Sequence, residues 1–183
     1  MRVIGGRSRG RRLAAKLPRS VRPTSDRVRE SIFDILGSLG GVDGLHVVDL
    51  FCGSGALGLE ALSRGAASAT FVDQDPEALG AVRENLAAVG LDTGAATLVR
   101  ATLPEWLRTP GGARAFDLAF CDPPYDFADW PGLLAGLRAA RVVMESGAPI
   151  GLADGPEAPW VGIKERQYGG TLVTVAQRSG TGS

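Results

Sequence analysis

The sequence predicts an α/β fold: a mostly parallel sheet with helices on both faces, closed by an antiparallel hairpin. From residue 45 onward, short apolar runs alternate with helical patterns, and repeated strand–helix units form parallel sheets with a helix layer on each face. The last two apolar runs flank Tyr168-Gly169-Gly170, which is typical of a hairpin turn. A basic segment precedes the first strand. The whole chain has 183 residues, the length of one domain.

The elements follow in order from the spacing of the apolar residues. Strands are predicted at residues 45–50, 69–73, 97–100, 117–121, 141–145, 160–167 and 171–177. Helices are predicted at residues 56–64, 76–89, 104–108 and 130–140. Asp75 caps the second of these helices and Pro76 is its first residue. We divide the chain into a basic extension with a helix (1–40), a main domain (41–178) and a frayed tail (179–183).

The extension is predicted to form a hairpin followed by a helix. Residues 2–4 and 11–14 can pair as two short strands. Thr24 or Ser25 can cap a helix over residues 26–39. The apolar stripe of this helix is Val28, Ile32, Ile35, Leu36 and Leu39. Arg27 and Arg29 fall off that stripe, so we expect both to face outward.

A glycine-rich turn after strand 45–50 predicts a cofactor site, because ligands bind at the carboxyl ends of parallel strands. Asp73 stands 20 residues after Gly53, so a dinucleotide fingerprint also fits. Asp49, however, would repel a pyrophosphate and attract the ammonium group of S-adenosylmethionine, and Asp73 suits its ribose hydroxyls. We therefore expect S-adenosylmethionine. The predicted cofactor-binding residues are Asp49, Phe51, Cys52, Gly53, Ser54, Gly55, Asp73 and Gln74.

A second motif, Asp122-Pro123-Pro124-Tyr125, follows strand 117–121. The Asp122 carboxylate only accepts hydrogen bonds, and the two prolines stiffen the turn and leave its carbonyls free as acceptors. Tyr125 offers a flat face. Acceptors beside a flat face suit a planar group with an NH2, such as a nucleobase edge or a carboxamide. The same dipeptides also occur in plain turns. The predicted cofactor turn upstream strengthens the functional interpretation of the motif.

Charge is concentrated at the N-terminus. Residues 1–30 hold ten Lys and Arg against two acids, although the whole chain has net charge zero. Such clustering is the footprint of a phosphate backbone, and the interleaved glycines and apolar residues favour an ordered segment over a floppy tail. The predicted RNA-binding residues are Arg7, Arg9, Arg11, Arg12, Arg22, Thr24, Arg27 and Arg29.

These motifs together resemble a known family. Asp49-x-Phe-x-Gly-Ser-Gly and Asp-Pro-Pro-Tyr are similar to the class I methyltransferases that modify exocyclic or amide nitrogens. Three N-terminal blocks narrow the resemblance to RsmD, the family of bacterial 16S rRNA guanine-N2 methyltransferases; the blocks span residues 2–6, 9–13 and 22–33. The resemblance covers nearly the whole chain, from residue 2 to residue 178.

The resemblance implies a Rossmann-like class I methyltransferase sheet and methyl transfer from S-adenosylmethionine to the exocyclic N2 of a guanine in 16S rRNA. Its catalytic residues would be Asp122, Pro123, Pro124 and Tyr125. Thr102 stands where many relatives carry Asp or Asn for the adenine amino group. We therefore expect nearby backbone groups, and not Thr102, to hold the adenine.

Two other functions remain open at this point. The first is methyl transfer to another amine, in adenine or in a protein glutamine, because the Asp-Pro-Pro-Tyr turn alone does not separate these substrates. The second is a non-catalytic RNA-binding protein of ribosome assembly with a methyltransferase fold. The intact acids and glycines of the two motifs disfavour this second interpretation.

Composition excludes several classes of protein. No run of 18 apolar residues and no charged-then-apolar leader is present, so we expect no membrane span and no signal peptide. Two cysteines suit a reducing cytoplasm. With one histidine they are few ligands for a metal. We expect a cytoplasmic monomer without a metal, acting on 16S rRNA or the assembling small subunit.

Overall fold

The computed structural model describes residues 1–14, 25–152 and 158–180. Its strands are β1 (His46–Leu50), β2 (Ser68–Asp73), β3 (Ala96–Arg100), β4 (Phe116–Cys121), β5 (Ala139–Ser146), β6 (Trp160–Tyr168) and β7 (Thr171–Arg178). They form one sheet in the order β3-β2-β1-β4-β5-β7-β6. The first five strands are parallel, and β7 runs antiparallel to both of its neighbours. The predicted parallel sheet with a closing hairpin is confirmed.

Within the described residues, four α-helices cover the sheet: α1 (Asp26–Ser38), α2 (Ala56–Ser63), α3 (Pro76–Ala88) and α4 (Trp130–Gly136). Short 3-10 turns lie at Gly6–Ser8, Thr93–Ala95 and Glu105–Arg108. The helix predicted at 130–140 is four residues too long. It ends at Gly136 because Leu137 is already extended and Ala139 pairs with Phe116 in the sheet. None of the helices in the described part of the chain is long and apolar enough to span a membrane.

The sheet is packed between two apolar layers. Alternate strand residues point to opposite faces, and one face meets α1, α2 and α3 through side chains such as Ile32, Leu59 and Val82. The other face meets α4 and the turn at 105–108 through Trp106 and Leu133. A parallel sheet with both faces buried leaves its strand ends as the place for a site.

The N-terminal extension folds onto α2. Val3 donates its N–H to the Arg11 carbonyl at 2.9 Å and accepts from Gly10 N–H at 2.8 Å, and Arg2 forms an isolated β-bridge with Arg12. The predicted two short strands are thus a single bridge around a 3-10 turn. Val3 is 2% exposed and belongs to the same apolar layer as α1 and α2, so the extension is part of the core packing.

Glu60 of α2 fastens the extension. Its side chain is 1% exposed. Its carboxylate accepts hydrogen bonds from the backbone N–H groups of Ile4 at 2.8 Å and Gly5 at 2.7 Å. It also pairs with Arg64 at 2.7 Å and with Arg29 at 3.7 Å. One buried carboxylate therefore joins the extension, α1 and α2.

Arg29 lies in the interior, and our expectation that it faces outward is wrong. Its side chain is 1% exposed; it donates to the Arg2 carbonyl and, at 3.1 Å, to Asp26. The extension covers this part of α1, and the buried face of the helix is wider than its apolar stripe because Phe33, one turn further on, is also buried. Of the other residues predicted to bind RNA, Arg22 and Thr24 lie outside the described residues.

Two smaller expectations concern the start of α1 and the C-terminal tail. Ser25 caps α1, with its side chain accepting from Val28 N–H at 3.2 Å. In the tail, Ser179 N–H donates to the Pro159 carbonyl at 3.1 Å. The described start of the predicted frayed tail is therefore tied to the residue that precedes β6.

Candidate active site

A cavity of about 850 Å³ lies at the carboxyl ends of β1, β2 and β4. The strand order turns back between β1 and β4, which is the place where open α/β sheets bind ligands. The cavity brings the two predicted motifs together. From those motifs its lining includes Asp49, Phe51, Cys52, Gly53, Ser54, Asp73, Gln74, Asp122, Pro123, Pro124 and Tyr125.

Gly55 supports the site from behind. It does not line the cavity but is the N-cap of α2, with φ of 76°. A Cβ at this position would stand 2.9 Å from a methyl group of Val82. Phe51, at the start of the same turn, has φ of 58°, a conformation that costs free energy outside glycine. Its ring is held edge-on by Phe127, with centroids 5.2 Å apart.

Asp73 anchors the glycine turn. One carboxylate oxygen accepts from Gly53 N–H at 2.9 Å and the other accepts from Asp75 N–H at 3.0 Å. Each oxygen has a second lone pair, so the carboxylate can also accept from ribose hydroxyls in the cavity. The Asp73 side chain thus holds the glycine turn and is also available for the proposed ribose contact.

Replacing Asp73 tests the proposed cofactor site. We expect Asp73→Ala to weaken S-adenosylmethionine binding by about 1–3 kcal/mol, because it removes a charged acceptor and loosens Gly53. Isothermal titration of the variant and of wild type measures the change. Asp92→Ala is the matched control, since Asp92 makes a similar short-range backbone bond, to Gly94, away from the cavity. Equal affinity for Asp73→Ala and wild type would contradict the assignment.

Asp49 is the deepest acid of the cavity. It is 1% exposed and accepts from Gly58 N–H at 2.9 Å. Burial raises the pKa of Asp49 well above its usual value; the Gly58 N–H opposes this rise, and the charges of Asp122 and Asp73 add to it. A positive charge beside Asp49 would stabilise its carboxylate and so lower its pKa again. The pocket therefore favours a ligand with a positive charge at this end.

The Asp122 turn stands beside the glycine turn. Asp49 is in register with Phe120 on the parallel strands β1 and β4. The glycine turn and the Asp122 turn, which follow these strands, therefore lie at the same edge of the sheet. Tyr125 is 61% exposed, and its hydroxyl lies 3.0 Å from that of Thr171. A Cβ added to Gly147 would stand 3.0 Å from the Tyr125 ring, so this glycine leaves room for the ring. The exposed ring is available for stacking.

Several cavity residues were missed by the sequence analysis. Phe127 packs edge-on against both Phe51 and Trp130; an aromatic residue two positions after Tyr125 was a usable signal. Glu145 ends an apolar run and is 5% exposed; a buried acid at a strand end was also a signal. The hairpin turn at 168–171 lines the cavity as well, which only the folded sheet order reveals.

Thr102 does not line the cavity, whereas its neighbours Ala101 and Leu103 do. This placement agrees with the expectation that Thr102 is not an adenine ligand. Among the residues that the structure describes, no group of three or more His, Cys, Asp or Glu side chains could hold a metal ion.

Comparison with known proteins identifies the family. A family model described as "Conserved hypothetical protein 95" matches residues 1–177. The chain is 35% identical to Ribosomal RNA small subunit methyltransferase D of Escherichia coli K12, over 100% of this chain and 92% of that protein. The chain belongs to the RsmD family. The resemblance stated from the sequence is confirmed.

Another relative and two solved structures are similar to this protein over nearly the whole chain. YlbH of Bacillus subtilis is 36% identical, over 98% of this chain and all of that protein. The structure of yhhF from Escherichia coli superposes with a TM-score of 0.82 at 33% identity, covering 98% of each chain. A hypothetical protein of Thermus thermophilus gives a TM-score of 0.78 at 31% identity, covering 96% of this chain and 98% of that one. The class I methyltransferase fold is thereby confirmed.

Proposed function

We propose that this protein transfers a methyl group from S-adenosylmethionine to the exocyclic N2 of a guanine in 16S rRNA of the small ribosomal subunit. One observation carries the proposal: in a chain of the RsmD family, the glycine turn and the Asp122-Pro123-Pro124-Tyr125 turn line one cavity. The substrate is 16S rRNA, free or in the assembling subunit, and the enzyme acts in the cytoplasm as a monomer without a metal.

The amine is the difficult partner in this reaction. The lone pair of guanine N2 is delocalised into the ring and is poorly nucleophilic. The Asp122 carboxylate and the Pro123 carbonyl accept hydrogen bonds from the NH2 group and hold it so that its lone pair faces the cofactor. S-adenosylmethionine, when bound, supplies an electrophilic methyl group. The rate then comes mainly from orientation and local electrostatics.

Proton transfer completes the reaction. The methylated nitrogen is cationic and acidic, so it loses a proton to Asp122 or to water, and no strong base is needed. The guanine must leave its stack to reach the cavity, at a cost of a few kcal/mol. The exposed Tyr125 ring offsets part of this cost by stacking on the base.

The cofactor fits the other half of the cavity. Asp73 would accept from the ribose hydroxyls, and the buried Asp49 would attract the ammonium group. Backbone groups near Gln74, Ala101 and Leu103, which line the cavity, would surround the adenine. This donor and acceptor set suits a ligand with an ammonium, a sulfonium and a ribose but no phosphate.

The extension would hold the RNA. Met1 lines the cavity, and the side chains of Arg7, Arg9, Arg12 and Arg27 are exposed. Arg11 is also exposed, and it donates to the Val89 carbonyl at 2.8 Å, which fixes the extension to the end of α3. We propose that these arginines contact phosphates and supply affinity with little sequence information.

Substitution tests the arginines better than deletion, because removing the extension would also remove Val3 from the core. We expect the triple variant Arg7→Gln, Arg9→Gln, Arg12→Gln to bind 16S rRNA more weakly. Each lost phosphate contact lowers the slope of log affinity against log salt by somewhat less than one, so the slope should flatten by about two. RNA affinity at several salt concentrations measures it.

The matched control changes three exposed arginines elsewhere: Arg108, Arg138 and Arg166. Both triple variants lose the same charge, so a general effect of net charge would flatten both slopes equally. That result would contradict a specific role for the extension. Flattening in the first variant alone supports it.

Cells that lack the gene test the proposed function itself. Mass mapping of nucleosides in their 16S rRNA should show the loss of one N2-methylguanosine, restored by the wild-type gene. Loss of a methyladenosine instead would favour the adenine substrate. An unchanged methylation map with a defect in subunit assembly would favour the non-catalytic interpretation.

A further inference from the structure

We propose that Glu145 selects guanine by accepting a hydrogen bond from the N1–H of the base, beside the amine that Asp122 holds. This inference rests on the proposed function and assigns to it a specificity residue.

Strand register places Glu145 next to Asp122. β4 and β5 are parallel, and Phe120 and Cys121 are in register with Val143 and Met144. Asp122 directly follows β4, and Glu145 is the next residue of β5 after Met144. Phe120 and Val143 belong to one apolar layer, and side chains two residues further along a strand return to the same face. Continuing the register by one residue thus places the two acids at neighbouring positions on one face of the sheet.

Glu145 also borders the space that a base would enter. It lines the 850 Å³ cavity and a second cavity of about 420 Å³ that adjoins it. Asp122, Tyr125 and Thr171 line both cavities as well. A base stacked on Tyr125 with its amine on Asp122 would present its edge to Glu145.

Guanine matches two acceptors side by side. Its Watson–Crick edge offers the N2 amine and, next to it, the N1–H, and a carboxylate only accepts hydrogen bonds. Adenine and cytosine place a ring-nitrogen acceptor beside their amine, which would face the Glu145 carboxylate with no proton between them. A glutamine carboxamide has no second donor of this kind. The acid pair therefore distinguishes guanine from the alternative substrates.

The burial of Glu145 makes its choice of partner selective. Glu145 is 5% exposed and is paired in register with Val173 of β7, and its neighbour on the same face of β5 is Val143. A carboxylate in such surroundings is costly unless donors serve it, and its two oxygens offer about four acceptor positions. A donor on the substrate edge can therefore occupy one acceptor position of the Glu145 carboxylate, while donors of the protein occupy others. An acceptor at the same place would be repelled.

The test compares two bases at the target position of a 16S rRNA fragment. 2-Aminopurine keeps the amine of guanine but has an acceptor at N1 and lacks O6. We expect wild type to prefer guanine in kcat/KM by about 10- to 100-fold, the effect of one hydrogen bond to a charged group. Glu145→Gln should lose a similar factor on guanine. Glu145→Gln should also reduce the preference for guanine over 2-aminopurine, because the amide NH2 of the glutamine can donate to N1 of 2-aminopurine.

Glu165→Gln on the exposed strand β6 is the matched control and should keep the wild-type preference. Melting temperature and S-adenosylmethionine affinity of each variant show that it is folded. An unchanged preference in a folded Glu145→Gln variant overturns the proposal. Equal use of the two bases by wild type overturns it too, without any variant. If wild type does not methylate guanine N2 at all, the proposed function fails instead.

Discussion

We expect Asp122→Ala to abolish methyl transfer to ribosomal RNA while leaving the affinity for S-adenosylmethionine nearly unchanged. In the proposed function, the side chain contacts the amine and not the methyl donor, because it follows β4 while the proposed cofactor contacts come from Asp49 and Asp73. Removing one preorganised partner of a reacting group typically costs about 100- to 1,000-fold in kcat. The loss here should be at least of that order.

Two assays on the same sample separate the effects. Single-turnover transfer of labelled methyl groups to small subunits measures the chemical step, and calorimetric titration measures cofactor affinity. Asp34→Ala, an exposed acid on α1, is the control for loss of one negative charge. Wild-type turnover in Asp122→Ala would show that the acceptor role belongs to another group.

We expect Glu60→Ala to lower the free energy of unfolding by about 3–5 kcal/mol, the usual cost of breaking a buried ion pair. The substitution leaves the backbone N–H groups of Ile4 and Gly5, and the buried Arg29, without the carboxylate that they contact. Reversible denaturant unfolding measures the change.

Glu84→Ala, an exposed acid on α3, is the control and should change stability by less than about 0.5 kcal/mol. RNA affinity gives a second readout, since the extension that carries Arg7, Arg9 and Arg12 is held by Glu60. A loss of less than about 1 kcal/mol in Glu60→Ala would mean that the extension is held mainly by Val3 and its apolar neighbours.

The sheet and the glycine turn could be predicted because each depends on residues that are close together in the sequence. Apolar runs set the strands, Asp75 and Pro76 start α3, and the turn after β1 needs the positive φ that Gly53 and Gly55 adopt. The shared edge of β1 and β4 then follows from the parallel topology. Asp122 and Asp49 could therefore be placed near each other from sequence alone.

What could not be predicted depends on contacts between distant segments. The burial of Arg29 follows from the extension folding back over α1 onto Glu60, a packing that no periodicity encodes. The proposed placement of Glu145 beside Asp122 depends on the register of β4 and β5, in which Cys121 stands opposite Met144. Tyr125 is oriented by Thr171, which is 46 residues away in the chain.

Labelled methyl transfer in vitro tests the central claim most directly. Purified protein, S-adenosylmethionine with a deuterated methyl group and small subunits from cells that lack the gene are incubated, and the 16S rRNA is digested to nucleosides for mass spectrometry. The account predicts label in N2-methylguanosine at one position, and none with Asp122→Ala. Label in an adenosine or in a ribosomal protein, or no label with wild type, would contradict it.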